Sequence, residues 1–163
     1  MSADPAGAAT GAADRPGAVA PPPLIYIGFL VAAFLLSLPW PLALGLGGWR
    51  HAAALAIFAL AAAIAIAAMR GFRAAGTSFN VYKPDTALLT EGVFRYSRNP
   101  LYVSLSLVHL SIAVATDSGW ALLLLAPALA VVRYGVIARE EAYLAARFGA
   151  DYEAYRRSVR RWL

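Results

Sequence analysis

The sequence predicts an all-α protein, an integral membrane bundle of about four transmembrane helices with a cytoplasmic, amphipathic C-terminal helix. Three observations carry that expectation. Of 163 residues, 61% are apolar and only 14% charged, whereas soluble domains carry roughly 25% charged residues. The apolar residues gather into stretches suited to a hydrocarbon core of about 30 Å at about 1.5 Å per helical residue. The basic residues fall largely on one side of those stretches, the pattern of cytoplasmic loops.

Residues 1–23 are rich in Ala, Gly and Pro without apolar periodicity, and are expected to form a disordered tail. Only Arg15 is basic ahead of the first apolar stretch, which is itself long enough to span, so no cleaved signal peptide is expected. Residues 24–46 make the first span, with Pro39 and Pro41 kinking or interrupting it near its end. Residues 52–69 make a second, dominated by alanine. It has little drive into lipid but a smooth surface that lets neighbouring helices approach closely inside the bundle. Together these two form a unit over residues 24–70. Residues 101–115 and 120–138 make the third and fourth spans, joined by the polar TDSG turn at 116–119 into an antiparallel hairpin.

Charge placement tests this layout. Arg70, Arg73, Lys83, Arg95 and Arg98 lie in the connection between the second and third spans. Arg133, Arg139, Arg147, Arg156, Arg157, Arg160 and Arg161 lie in the C-terminal part, and Arg50 stands alone on the opposite side. Both termini and the middle connection are therefore expected in the cytoplasm, which an even number of spans satisfies. The net charge of +5 reads as membrane topology and not as a nucleic-acid surface. In the tail, Gly149 suits a helix C-cap and Asp151 a new N-cap, while Tyr152, Tyr155 and Val159 recur at helical spacing. With the surrounding arginines and Trp162, this reads as a helix lying on an anionic cytoplasmic surface, the alternative being a solvated basic tail.

The chain contains no cysteine, which excludes disulfides, thiolate metal sites and cysteine nucleophiles. No metal-ligand cluster is present, and no G-x-G-x-x-G follows a predicted strand, which argues against a Rossmann-type domain. The densest polar chemistry is RYSRNPLY, residues 95–102. Asn is a preferred N-cap and Pro a preferred first helical residue, so Asn99-Pro100 could simply start the third span. That leaves Arg98, Tyr102 and the preceding TALLTEGVFRY unexplained. A helix start beside Arg95 and Arg98 also favours an anion. Hairpin geometry returns Glu140 and Glu141 to the same end, giving a small interfacial pocket suited to a zwitterion with a cationic centre and sugar hydroxyls. The alternative is a solvated helix end in which the glutamates pair with Arg139 or Arg147.

The stretch PDTALLTEGVFRYSRNPLY, then a hairpin, then EEAYLAARFGADYEAYRRSVRRWL, resembles the isoprenylcysteine carboxyl methyltransferase family and its phospholipid methyltransferase relatives. The shared features are a T-x-G-x-[FY]-R segment, R-[HN]-P-x-Y, a hairpin, and E-E-x-x-L followed by F-G-x-x-Y-x-x-Y. They cover about residues 76–162, so that residues 71–163 are expected to form the methyltransferase core. The resemblance implies a small helical membrane enzyme that binds S-adenosylmethionine between its last spans and the cytoplasmic connections. Thr86, Ala87, Leu88, Leu89 and Phe94 would line the cofactor. Asn99, Pro100, Leu101 and Tyr102 would hold its amino acid and adenosine parts, beside Arg98, and Glu140 with Glu141 would bind a polar edge. No catalytic residue and no metal ligand is assigned. Asn99 stands where eukaryotic members have histidine, and Asn cannot titrate. Val136 stands where those members have an arginine linked to the prenylcysteine substrate.

The implied reaction is methyl transfer to an amphiphilic, lipid-like or lipidated acceptor, foremost a carboxylate, with membrane lipids as surroundings. A carboxylate acceptor requires no general base, whereas an amine acceptor, as in phospholipid N-methylation, would need Glu141 or Tyr102 to take its proton. An NADPH-dependent sterol reductase-like enzyme and a non-enzymatic membrane scaffold are the alternatives. His51 is expected in the outer loop and His109 within the third span, as a hydrogen-bonded packing residue.

Overall fold

A computed structural model describes residues 19–76 and 87–163. The expectation for a disordered tail over 1–23 falls largely outside that range, as does Thr86. The described residues are helical, with one isolated bridge, Ala43 to Ser118, and no strand. In chain order they are α1 (Pro22–Ser37), α2 (Arg50–Ala74), a short 3-10 turn (Gly92–Arg95), α3 (Pro100–Ala115), α4 (Gly119–Val132), a π turn (Arg133–Ile137) and α5 (Ala138–Ser158).

The first apolar stretch is helical only to Ser37, well short of residue 46. Pro39 cannot donate a backbone hydrogen bond and disfavours the helical conformation of the residue before it, so the chain turns out there. Residues 38–49 then clamp the tight turn after α3. Gly119 N donates to Leu42 O at 2.7 Å, Leu44 N to Asp117 O at 3.1 Å, and Trp120 Nε1 to Trp40 O at 2.6 Å. The approach requires glycine at 119, because a Cβ there would lie 2.6 Å from Leu42 Cγ. Ser118 caps α4 by accepting from Ala121 N at 3.2 Å, and the α3–α4 hairpin has the expected form.

The second apolar stretch is longer than the alanine run that marks it, reaching from Arg50 to Ala74. Ala54, Ala61 and Ala68 recur every seven residues on its buried face, the spacing of one stripe along a helix. Without bulky side chains there, α2 lies close enough to α3 for Ser104 Oγ to donate to Ala61 O at 2.9 Å. Against the expected four spans, two helical stretches are long and apolar enough to cross a membrane, α2 and the continuous run Gly119–Ser158. The α1 and α3 helices are apolar but have 16 residues each, about 24 Å. Large apolar side chains such as Leu24, Ile27, Phe34, Leu55, Phe58 and Ile66 face outward, far more than a soluble surface exposes in one region.

The core runs along the inner faces of α1, α3 and α4. Tyr26, Tyr102, Ala128, Val132, Val136 and Ile137 pack as one cluster, with Trp162 against it. His109 is fully buried, its Nε2 2.9 Å from Ala121 O and its ring edge-on to Tyr26. It packs as expected and bonds through Nε2, while Nδ1 is buried without a partner among the described residues.

Helix α5 breaks at Gly149, whose φ of 51° and ψ of −122° leave the helical region. Beyond the break its apolar face turns onto the protein and not onto a flat outer surface. Tyr152 and Tyr155 are buried against Phe94 and Ala68, because burying two aromatic rings and satisfying the Tyr155 hydroxyl outweighs leaving them at an interface.

Candidate functional site

The site is built where the 3-10 turn, the start of α3 and the start of α5 meet. Gly71 at the end of α2 lets the Phe94 ring come within 3.2 Å of where a Cβ would stand. Phe72 meets that ring edge-on at 5.4 Å, and Tyr155 donates its hydroxyl to Phe94 O at 2.7 Å. These contacts fix the turn from three sides.

Asn99 occupies the residue before α3, yet its side chain does not cap the helix. Its Nδ2 donates instead to Arg161 O at 2.9 Å. Arg98 N donates to Arg160 O at 3.0 Å and Ser97 Oγ to Arg161 O at 3.4 Å. The last residues of the chain thus lie along 97–99 as a strap, and the simple helix-start account of Asn99 gives way to a tertiary one.

The π turn stands directly before the two glutamates, and its extra residue changes the helical phase with which they are presented. Glu141 accepts from Arg98 at 2.8 Å and from two nitrogens of Arg161, while Tyr102 donates its hydroxyl to Glu140 at 2.8 Å. Arg98 also donates to Arg156 O at 2.9 Å. Arg98 and Glu141 keep side-chain exposures of only 9% and 10%, so this is a desolvated pair with charge-assisted bonds. Hydrogen bonding to Glu141 raises the pKa of Arg161 above its ordinary value, burial opposing it in part. Burial, then the nearby Glu141 carboxylate, pushes the Tyr152 hydroxyl up to about 12.

These groups line one cavity of about 390 Å³, within the roughly 300–1,000 Å³ of small-molecule sites. Ala87, Leu88, Leu89 and Phe94 contribute apolar wall. Arg98, Asn99, Pro100, Leu101 and Tyr102 contribute the start of α3, and Glu140 and Glu141 the start of α5. The structure therefore gathers the sequence-derived site residues, with Thr86 outside the described range. Arg95, expected beside Arg98, is exposed and lies instead in a shallow groove with Asp151. The second guanidinium is that of Arg161. Glu141 makes its ion pairs across the fold with Arg98 and Arg161.

Sequence reasoning missed Arg161, Tyr152, Tyr155 and Ser104 as members of this region, and Pro21, Pro22 and Pro23 at its edge. The Y-x-x-Y spacing marked Tyr152 and Tyr155 as one face but not what that face meets. Chemically, the cavity offers an apolar wall for a planar ring, carboxylates at Glu140 and Glu141, and the Arg98 guanidinium with tyrosine hydroxyls among its lining.

Comparison with known proteins gives a consistent picture. The family model described as phospholipid methyltransferase matches residues 49–151. An uncharacterized protein of Haemophilus influenzae is 38% identical over 63 residues, which is 39% of this chain and 100% of that relative. No solved structure matches the chain. The match excludes α1 and the strap, although Tyr152, Arg161 and residues 21–23 reach the same cavity or its charged cluster.

Proposed function

Because the chain belongs to the phospholipid methyltransferase family, a family of membrane methyltransferases, we propose that it transfers a methyl group from S-adenosylmethionine to an amphiphilic acceptor, foremost a carboxylate. The observation that carries this reading is that Asn99 and Glu140, from separate helices, line one cavity with the other motif residues. The donor set fits the cofactor: carboxylates for cationic groups, guanidinium and hydroxyl donors for a carboxylate, and apolar wall for an adenine ring. When bound, S-adenosylmethionine supplies an electrophilic methyl group on a sulfonium that is already a good leaving group.

The protein's own contribution is positioning and exclusion of water. Leu88, Leu89, Phe94 and Leu101 form the dry wall. Asn99 and Tyr102 fix the start of α3, and the Tyr102 hydroxyl holds Glu140 in one orientation. Ala65, Ser104 and Leu105 extend the cavity between α2 and α3, towards the apolar exterior from which an amphiphile would enter. A carboxylate acceptor needs no proton removed. An amine acceptor does, and the two bases available to it are engaged, Tyr102 with Glu140 and Glu141 with two guanidiniums. That engagement favours the ester over the N-methyl product. Family membership favours group transfer over a reductase or a scaffold.

We place α1 and α3 across the bilayer as well, with both termini cytoplasmic, because Arg50 is the single basic residue near the opposite ends of the helices. The natural absence of cysteine makes the topology simple to read: a cysteine introduced at Ser118 is expected to label from outside intact cells, and one at Leu163 only after permeabilisation.

The activity test is transfer of labelled methyl groups into a total lipid and protein extract by the purified protein in liposomes. Label released as methanol by mild base supports the carboxylate reading. Base-stable label in a headgroup indicates N-methylation, and no transfer to any acceptor contradicts the function.

A further inference from the structure

Helix α1 lies outside the matched family span, yet its start touches both elements that carry the Tyr102–Glu140 pair. Just ahead of its first turn, Val19 N donates to Gly135 O at 3.3 Å, within the π turn that leads into α5 and Glu140. Glycine at 135 allows that approach, since a Cβ there would meet Val19 Cγ2 at 3.3 Å. Further along, Tyr26 is 3% exposed, and its hydroxyl lies 2.8 Å from Ser106 Oγ and 3.5 Å from the Tyr102 carbonyl. Between these two contacts, Pro21, Pro22 and Pro23 line the cavity itself.

Hydrogen-bond capacity gives the Tyr26 contact a direction. Ser106 has a single hydroxyl hydrogen, and it goes to the Tyr102 carbonyl at 2.7 Å. Tyr26 therefore donates to Ser106 Oγ, its line to the carbonyl at 3.5 Å being at the limit of a bond. The chain of donors runs from Tyr26 through Ser106 to Tyr102 O. A serine bonded to the carbonyl one turn back bends a helix slightly, so these two hydroxyls act on the path of α3 where Tyr102 leaves it. The other end of Tyr102 donates to Glu140 at 2.8 Å. The rest of the surrounding core is Ala128, Val132, Val136 and Ile137, which offer no side-chain donor to replace the Tyr26 hydroxyl.

We propose that Tyr26 is a positioning residue of the methyl-transfer site. Through Ser106 and the Tyr102 carbonyl it fixes the first turn of α3, and with Val19 on Gly135 it holds that turn against the approach to α5, so that Glu140 meets the ligand in one orientation. The proposal rests on the methyltransferase reading and gives a helix outside the matched span a part in the reaction.

The test is binding of S-adenosylhomocysteine to the full-length protein in a cycle of Tyr26→Phe, Tyr102→Phe and the double variant. Phenylalanine at 26 removes one oxygen and keeps the ring that stands edge-on to His109. Tyr26→Phe alone is expected to weaken binding about two- to tenfold, the range of one neutral hydrogen bond. In the Tyr102→Phe background it is expected to add less than about twofold, because residues acting through one contact are not additive. Ser106→Ala breaks the same chain at its middle, should match Tyr26→Phe, and carries the test if the latter does not fold. In the labelled-methyl assay with the extract, Tyr26→Phe should raise the KM for S-adenosylmethionine and leave the maximal rate nearly unchanged, since a positioned binding group acts on ground and transition states alike. No loss of affinity in either variant, an equal loss with and without the Tyr102 hydroxyl, or an unchanged KM overturns the proposal. If the natural protein does not bind S-adenosylhomocysteine, the methyltransferase reading fails and the proposal with it. Binding by the natural protein with an additive cycle leaves that reading standing and removes Tyr26 alone.

Discussion

Tyr102 donates its hydroxyl to Glu140 across 2.8 Å, joining the first turn of α3 to the first turn of α5. The same tyrosine is held from behind. Tyr26 of α1 reaches its carbonyl at 3.5 Å and bonds Ser106 Oγ at 2.8 Å, and Ser106 donates to that carbonyl at 2.7 Å. A helix outside the matched family span therefore braces a residue of the cavity wall.

Removing the Tyr102 hydroxyl in Tyr102→Phe is expected to cost about 1–3 kcal/mol of cofactor-site organisation, the range for a bond to a charged group. The readout is weaker S-adenosylhomocysteine binding by calorimetry together with a melting temperature lowered by a few degrees. Unchanged binding would mean that Glu140 is oriented without this tyrosine.

Glu141 neutralises two guanidiniums, one of them nearly buried. Glu141→Gln is expected to destabilise the protein by about 3 kcal/mol, since a buried charge left without its partner costs more than the pair contributes. Arg161→Gln is expected to cost less, because Arg161 is 30% exposed on its side chain and water screens its loss. Thermal unfolding in detergent gives the order, and an Arg161 variant less stable than the Glu141 variant would contradict it.

The α2–α3 contact depends on small residues. Ala61 is fully buried and its carbonyl accepts from Ser104, so Ala61→Leu should force the helices apart at a cost of about 1–3 kcal/mol. Because Ala65 and Ser104 line the cavity, ligand affinity should fall with stability. Ala61→Gly, which adds no volume, should preserve affinity.

Alkaline pH gives a signed prediction. Tyr152 and Tyr155 both have pKa values raised by burial above an ordinary value near 10, Tyr152 to about 12. Above pH 10 the unfolded chain releases these protons while the folded protein retains them. The stability they contribute is thus complete below pH 10 and is lost as pH rises towards 12. The Tyr152→Phe/Tyr155→Phe variant should show a shallower fall in melting temperature between pH 9.5 and 11.5, about the window set by those values. An identical slope would place other groups in control.

Much of the site was legible in the sequence because its motif residues are local in kind. Asn99-Pro100 marks a helix start, TDSG marks a turn, and a hairpin must return residues 140–141 to the level of residue 99. Legibility failed where a partner lies far along the chain. Nothing near Glu141 indicates that Arg161 would bind it in place of Arg139 or Arg147. Nothing near Asn99 indicates that its amide would serve the Arg161 carbonyl in place of the helix beneath it. The ends of α1 and α2 were misjudged for a related reason: apolar composition continues through residues 38–46 and stops before residue 74, while backbone hydrogen bonding does the reverse.

The sequence by itself determined the helical, membrane-seeking character of the chain and the ends of its α3–α4 hairpin, since periodicity, proline and turn residues act within a few positions of themselves. Tertiary structure alone decided which charges pair, that Tyr152 and Arg161 join the site, and that α1 braces Tyr102. Those outcomes depend on desolvation and on hydrogen bonds between segments brought together only by packing, and a linear pattern carries no measure of either.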